Sequence, residues 1–273
     1  MHADAFIIGL FGAEISIRPY HFFVSLAIVV VVTGAWIILE KAGYRRKSVA
    51  ILLSSTIVAA LVGARMWNAL INWTSFSDDP LQWVTLSAVG FSLYGGIICA
   101  VIVGYYVARA LSMEPWKVLD RVIPFVGIGI ALIRVGCYLR GCCFGKETDV
   151  LWSVHFPSLS PAHFHQINEG SLFLFGGVHA VHPTQLYEIY GALIASIVAW
   201  ILLRKKMMSG IPALAFIIIF TLTRLITYFF RVMPENYVTP VWFYPALYIV
   251  ILIASITLLI RKVTLSQKRD TMN

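Results

Sequence analysis

The chain has 273 residues, of which 59% are hydrophobic and only 12% charged. Soluble domains carry about 25% charged residues, and half that density cannot cover the surface of a water-soluble fold of this length, so the composition excludes a soluble globular enzyme and leaves an integral membrane protein. The formal net charge of +8 would point to nucleic acid in a soluble protein, but the Lys and Arg residues fall in alternate loops between apolar runs, which makes the bilayer the partner and excludes nucleic acid.

Residues 1–18 lack a basic segment followed by a small-residue cleavage site, so no removable signal peptide is expected. A spanning helix needs about 20 mostly apolar residues. Seven stretches qualify in chain order: residues 21–39, 48–67, 84–108, 122–139, 184–203, 211–230 and 242–260. They predict an all-α integral membrane fold, a single polytopic domain over residues 1–273. Lys41, Arg45, Arg46 and Lys47 follow the first span. Arg109, Lys117 and Arg121 follow the third, Arg204, Lys205 and Lys206 the fifth, and Arg261, Lys262, Lys268 and Arg269 the last. The opposite loops hold only Arg18, Arg140, Lys146 and Arg231, with Asp78 and Asp79 among them. The positive-inside rule then predicts an odd number of spans, with the N-terminus outside and the C-terminus cytoplasmic. Trp73, Trp83, Trp116, Trp152 and Trp242 lie near the expected span ends, as interfacial aromatics do. Residues 77–82 and 234–240 read as short turns. The one long connection, residues 146–181, contains Pro157, Pro161, Gly170, Gly176 and Gly177 and predicts a small, irregular extracytoplasmic cap between the fourth and fifth spans.

Arg65, Arg134, Glu188 and Arg224 fall inside or at the edge of spans. A charge at mid-bilayer costs at least about 2.5–3.5 kcal/mol, so such groups face a bundle interior or a wet cavity. One reading is that Glu188 pairs with one arginine and fixes helix packing. Three arginines against one glutamate point further, to an anionic ligand. The forked guanidinium suits phosphate, and the phosphates available in a bilayer are phospholipid headgroups. Arg134, Arg140 and Arg231 lie towards the outer side, so the headgroup would come from the outer leaflet.

The densest cluster runs from Arg134 through Gly136, Cys137, Arg140, Gly141, Cys142 and Cys143 to Gly145. Arg134 and Cys137 share a helix face by their spacing of three, as do Cys137 and Arg140. Gly136, Gly141 and Gly145 permit close backbone approach and a break in the helix. An arginine beside a thiol makes it more nucleophilic, although small apolar packing residues are the alternative reading of these cysteines. Cys99, deep in a span, reads as packing. Adjacent Cys142 and Cys143 are an awkward pair for one another, and no spaced zinc pattern exists, so neither a metal nor a cofactor is expected. A second cluster, His182-Pro183-Thr184-Gln185-Leu186-Tyr187-Glu188, opens the fifth span, with Pro183 suited to a first helical turn. Helical spacing puts His182 near Gln185 and Thr184 near Glu188. In a third cluster, Ser92-Leu93-Tyr94-Gly95-Gly96, which sits mid-span, the glycines either pack helices or open room for a lipid chain.

These clusters, in this order, resemble the prolipoprotein diacylglyceryl transferase family, and the likeness extends over most of the chain. Arg18-Pro19-Tyr20 looks like the family's first-span entry, where a tyrosine is functional. Gly63-Ala64-Arg65 resembles its Gly-Gly-Arg. Arg134 to Gly145 stands where the family has Arg-x-Gly-Asn-Phe-x-Asn-x-Glu-x-x-Gly, His182 to Glu188 matches its His-Pro-Ser/Thr-Gln-Leu-Tyr-Glu, and Arg224 to Arg231 resembles its Arg-Phe-x-x-Glu-x-x-Arg. The resemblance implies a multi-pass transferase of the bacterial cytoplasmic (inner) membrane. Such an enzyme moves a diacylglyceryl group from phosphatidylglycerol, or a similar anionic phospholipid, to the cysteine thiol of a lipobox-containing prolipoprotein, releasing glycerol phosphate. It implies that Arg134 and Arg224 hold the lipid phosphate in the catalytic site with Tyr94 and Cys142. Tyr20, Arg65, Gly95, Gly96, Gly136, Cys137, Arg140, Cys143, Gly145, His182, Gln185, Tyr187, Glu188 and Arg231 would line the substrate site. Departures are marked: Tyr94 replaces the family's histidine, Cys137 and Arg140 its asparagines, and Cys142 and Tyr228 its glutamates. The phosphate-binding half looks intact and the acceptor-activating half rewritten. A related transferase with a different acceptor, or a protein that only binds anionic lipid, are the alternative expectations.

Overall fold

In a bilayer every backbone N–H and C=O must find a partner within the chain, which restricts spanning segments to helices and closed barrels. The apolar stretches here take the helical solution. The computed structural model describes residues 6–10, 13–17, 19–71, 93–171, 177–233 and 240–272. Among them lie helices α1 (Pro19–Lys41), α2 (Arg46–Ile71), α3 (Leu93–Ala110), α4 (Pro115–Arg140), α5 (Pro161–Asn168), α6 (Thr184–Arg204), α7 (Ile211–Phe230) and α8 (Phe243–Met272). Six of them, α1, α2, α4, α6, α7 and α8, are long and apolar enough to cross a membrane. The shorter apolar helix α3 takes up the second part of the third expected span, and residues 84–92 of that span lie outside the described residues. Arg18, Trp73, Asp78, Asp79, Trp83, Gly176 and the turn expected at 77–82 also lie outside them, as does most of the 234–240 turn. The helical membrane architecture expected from the sequence is borne out. To it the structure adds a hairpin of strands β1 (Phe6–Leu10) and β2 (Ala13–Ile17), antiparallel from Phe6↔Ile17 to Leu10↔Ala13. Runs of five residues are too short for periodicity to separate strand from helix.

The chain forms two compact units, Gly34–Arg121 and Met1–Thr33 with Val122–Asn273. In the first, α2 and α3 cross on glycine. A methyl group on Gly95 would collide with the Gly63 carbonyl oxygen and the Trp67 Cβ, and one on Gly63 with the Cys99 Sγ. Gly96 comes within 3.0 Å of the Ala60 carbonyl oxygen by the same measure. Water does not drive helices together inside lipid, so close backbone approach through small residues does that work. Gly95 and Gly96 therefore pack helices, and Cys99 is a packing residue as expected.

The second unit uses the same device. On α6, Ala192, Ala195 and Ala199 are fully buried while Ile194, Ile197 and Ile201 stay exposed. The helix turns its small residues inward and its large aliphatics to lipid. Gly191 meets the Thr223 side chain of α7, and Gly127 of α4 meets Ser196 and Phe216. Between α4 and α6 the chain packs Phe144, Phe156, Ala162, Val178 and Val181 against Tyr138 and Val232. The helix among its described residues, α5, is capped by Ser160, whose hydroxyl accepts from the His163 N–H at 3.2 Å. The Gln166 amide bridges to both backbone groups of His179, at 2.9 and 3.2 Å.

The glycine crossing makes a specific prediction. Gly95→Ala should lower the thermal midpoint of the detergent-solubilised protein, with an overpacking cost of about 1–3 kcal/mol. Gly104→Ala on the same helix meets only the Thr56 side chain, at 3.4 Å and beyond, and should leave the midpoint nearly unchanged. Equal shifts for the two variants would refute the close-approach reading.

Candidate active site

The site grows from the end of α4. Gly141 follows the last helical residue with φ 72°, the left-handed conformation that glycine adopts without strain. Its N–H donates to the Tyr138 carbonyl at 3.1 Å, and the Cys142 N–H donates to the Cys137 carbonyl at 3.1 Å. This pair of bonds is a Schellman motif, which folds the residue two past the helix back over the fourth from its end. Here those two residues are Cys142 and Cys137. Cys143 then takes φ 62°, unusual for a residue with a side chain. The three thiol sulfurs end within 4.8 Å of one another. Hydrogen bonds from Cys137 and Cys142 hold the Cys143 thiol well below its usual range, helped by Arg231 and Arg134 against the opposing effect of burial. As a donor to that shared charge, and to Cys137, Cys142 is pushed up.

The loop is pinned by the start of α6. Thr184 Oγ1 donates to the Cys143 carbonyl and Gln185 Nε2 to the Cys142 carbonyl, both at 2.7 Å. Gly145 N–H donates to the His182 carbonyl at 2.9 Å, and Lys146 N–H to the Phe230 carbonyl at 2.8 Å. Gly145 thereby forms an antiparallel bridge to Arg231. Any side chain on Gly145 would run into the His182 and Phe230 backbones, so this glycine is required by contact.

One turn into α6 sits Glu188, only 2% exposed. Its carboxylate oxygens meet Arg224 Nη1 at 2.6 Å, Arg134 Nε at 2.5 Å and Arg231 Nη1 at 3.8 Å. These residues come from α6, α7, α4 and the end of α7, so one carboxylate gathers three guanidinium groups, and the four carry a formal charge of +2 (three positive, one negative). Arg224 Nη2 also donates to the Tyr248 hydroxyl at 3.1 Å. Arg134 Nη1 lies 3.9 Å from Cys137 Sγ, which puts the arginine and thiol clusters side by side. Gln185 is 1% exposed, and its Oε1 has no hydrogen-bond donor among the described residues.

At the rim, Gly136 lets α1 approach, with the Phe23 Cβ 3.0 Å from where its own Cβ would be, and Arg140 lies over the Tyr20 ring at 5.5 Å. A cavity of about 910 Å³ opens beside Arg231, lined also by Gly145, Lys146, His165, Tyr228 and Trp242 among others. The Tyr228 hydroxyl donates to the Val241 carbonyl at 2.5 Å.

The structure thus brings together Tyr20, Arg134, Gly136, Cys137, Arg140, Cys142, Cys143, Gly145, His182, Gln185, Tyr187, Glu188, Arg224 and Arg231. Arg65, Gly95 and Gly96 belong to the other unit, where Arg65 is buried on α2. Tyr94 lies in the first turn of α3, and its side chain is outside the described residues. His182 meets the Tyr187 hydroxyl at 3.1 Å, and the Thr184 hydroxyl, on the first turn of α6 with Glu188 four residues on, bonds the Cys143 carbonyl. Burial keeps the His182 imidazole below its usual pKa, and the Tyr187 hydroxyl also accepts from Trp152 Nε1 at 2.8 Å. Sequence reasoning missed Tyr248, whose signal was a phenol four residues from Tyr244 inside an otherwise apolar run.

Removing the central carboxylate charge should be costly. Glu188→Gln leaves buried guanidinium groups without it, a loss of about 3–5 kcal/mol for a broken buried pair. Thermal unfolding in detergent should show a large fall in midpoint, and an unchanged midpoint would mean that the carboxylate is not the organising charge.

A family model described as prolipoprotein diacylglyceryl transferase matches residues 7–261. A phosphatidylglycerol–prolipoprotein diacylglyceryl transferase of Clostridium tetani is 29% identical over 201 residues, covering 73% of this chain and 75% of that protein. The protein of the same name from Mannheimia succiniciproducens is 28% identical over 204 residues, covering 72% and 69%. That of Finegoldia magna is 23% identical over 222 residues, covering 81% of each. With its apolar helices and ordered motifs, the chain belongs to the prolipoprotein diacylglyceryl transferase family of membrane transferases.

Proposed function

We propose that this protein transfers a diacylglyceryl group from phosphatidylglycerol to the cysteine thiol of a lipobox-containing prolipoprotein, releasing glycerol phosphate. The observation that carries the reading is the set of three arginines around buried Glu188. Arg134 and Arg231 bind the phosphodiester anion, while Arg224, fixed between Glu188 and Tyr248, holds the carboxylate in place and adds its field. The Gln185 Oε1 accepts a hydrogen bond from a headgroup hydroxyl. The acceptor sulfur attacks the terminal glyceryl carbon of the lipid, a C–S bond forms, and the C–O bond to phosphate breaks. Charge grows on the departing phosphate oxygen, where preorganised guanidinium groups stabilise it most. A thiol near its ordinary pKa of about 8.5 already supplies a few per cent thiolate at neutral pH. Tyrosine, with a pKa of about 10, is a poor base at neutral pH, so Tyr94, in the place of the family's histidine, is not taken as the proton acceptor. The charge bias of the loops supports a multi-pass protein of the cytoplasmic (inner) membrane with the site towards its outer side.

The replacements at Tyr94, Cys137, Arg140, Cys142 and Tyr228 favour one second reading, the same displacement with a different nucleophile. Purified protein incubated with phosphatidylglycerol and a lipobox peptide separates the two. The expected result is a peptide mass gain of one diacylglyceryl group, reduced at least about a hundredfold in Arg134→Ala, as expected for loss of one transition-state donor. Glycerol phosphate release with an unmodified peptide would favour the second reading. Neither product, with an authentic transferase active in parallel, would leave a lipid-binding protein and overturn both.

A further inference from the structure

The family resemblance accounts for the arginines but not for three thiols gathered where its signature has an asparagine at the place of Cys137, a glutamate at that of Cys142 and an unspecified residue at that of Cys143. We propose that Cys137, Cys142 and Cys143 form a three-sulfur site for one zinc ion, with the fourth coordination position open to the acceptor thiol. The second half of this proposal rests on the transferase reading above. The first does not.

Distances carry the first half. A Zn–S bond of about 2.3 Å sets neighbouring sulfurs about 3.8–4.0 Å apart. The three sulfurs already lie within 4.8 Å of one another, so side-chain rotation closes the site. The backbone is prepared for it. The Schellman turn fixes Cys137 against Cys142, and the Cys142 and Cys143 carbonyls are tied to Gln185 and Thr184. Cys143 is held in the left-handed conformation at φ 62°. The sequence spacing of five and one concealed this, because paired-cysteine patterns describe ligands on separate turns. Charge favours the complex as well. Three thiolates with Zn²⁺ carry −1, beside Arg134 at 3.9 Å from Cys137 Sγ. Disulfide chemistry fits less well, since the adjacent Cys142 and Cys143 are poorly placed to bridge one another and all three thiols are free.

Three protein ligands with a vacant position characterise reactive zinc sites, and a thiol that coordinates zinc is deprotonated. The acceptor S–H would bind the metal and release its proton to water. Its sulfur lone pair would then form the C–S bond while the C–O electron pair leaves on glycerol phosphate beside the arginines. No oxidant or reductant enters. Such a site supplies the acceptor activation that Tyr94 and Cys142 do not provide as bases.

Reduced protein in detergent, dialysed against Zn²⁺ and assayed by elemental analysis, should hold one zinc per chain. Loaded with Co²⁺ instead, it should show the near-ultraviolet sulfur-to-cobalt band and the visible bands of a tetrahedral site. Cys142→Ser and Cys143→Ser, checked for folding by size-exclusion profile, should lose both metal and bands, while Cys99→Ala keeps them. A lipobox peptide should shift the visible cobalt bands and its Cys→Ser version should not. No bound metal in the folded reduced protein, equal binding by the serine variants, or a disulfide among the three cysteines in the isolated protein would overturn the site. An unshifted cobalt spectrum, or full-rate peptide lipidation after chelation, would overturn the acceptor role and leave the transferase reading standing. Metal and spectral shift without any lipidation would instead sustain the site and its thiol binding and overturn that reading.

Discussion

A carboxylate buried to 2% exposure among apolar helices must be compensated, and Glu188 is compensated by arginines from α4, α7 and the strand-like residue after α7. That requirement organises the unit. It fixes the rotation of α6, because the same turn that presents Glu188 presents Thr184 and Gln185 to the loop after α4. It fixes Arg231 through the bridge between that residue and Gly145. A single ion pair would have served packing alone. Three guanidinium groups on one carboxylate leave the cluster cationic, a costly state in a membrane interior unless it serves an anion.

The second constraint is the way α4 ends. A helix that stops at a left-handed glycine folds its next residue back over its last turn, and this chain has cysteine at both of those positions. The thiol cluster is thus a consequence of helix capping, not of a metal-binding loop. Its position beside Arg134 puts the thiols and the guanidinium groups within one side-chain length of each other.

Much of this was legible in the sequence. Spans 184–203 and 211–230 fall within a residue of α6 and α7, because long apolar runs bounded by Pro, Gly and basic residues leave little freedom. The first and fourth helices run past the apolar stretches 21–39 and 122–139, to Pro19–Lys41 and Pro115–Arg140. Helices continue through the interface, where charged residues such as Lys117 and Asp120 no longer look membrane-like. Arg134, Glu188 and Arg224 stood out because charge in a span is expensive. What the sequence concealed was partnership across elements: Tyr248 on Arg224, Trp152 on Tyr187, Thr184 on Cys143. Those contacts depend on where α6 starts and on how the 141–183 connection folds, neither of which has a periodic signal.

The most direct measurement is an experimental structure of the protein in nanodiscs containing phosphatidylglycerol. A lipid phosphate within hydrogen-bond reach of Arg134 and Arg231, with Glu188 still held by Arg224, is the expected result. Lipid phosphates seated elsewhere, with the arginines closed on Glu188 as they are here, would contradict the assignment of this cluster as the headgroup site.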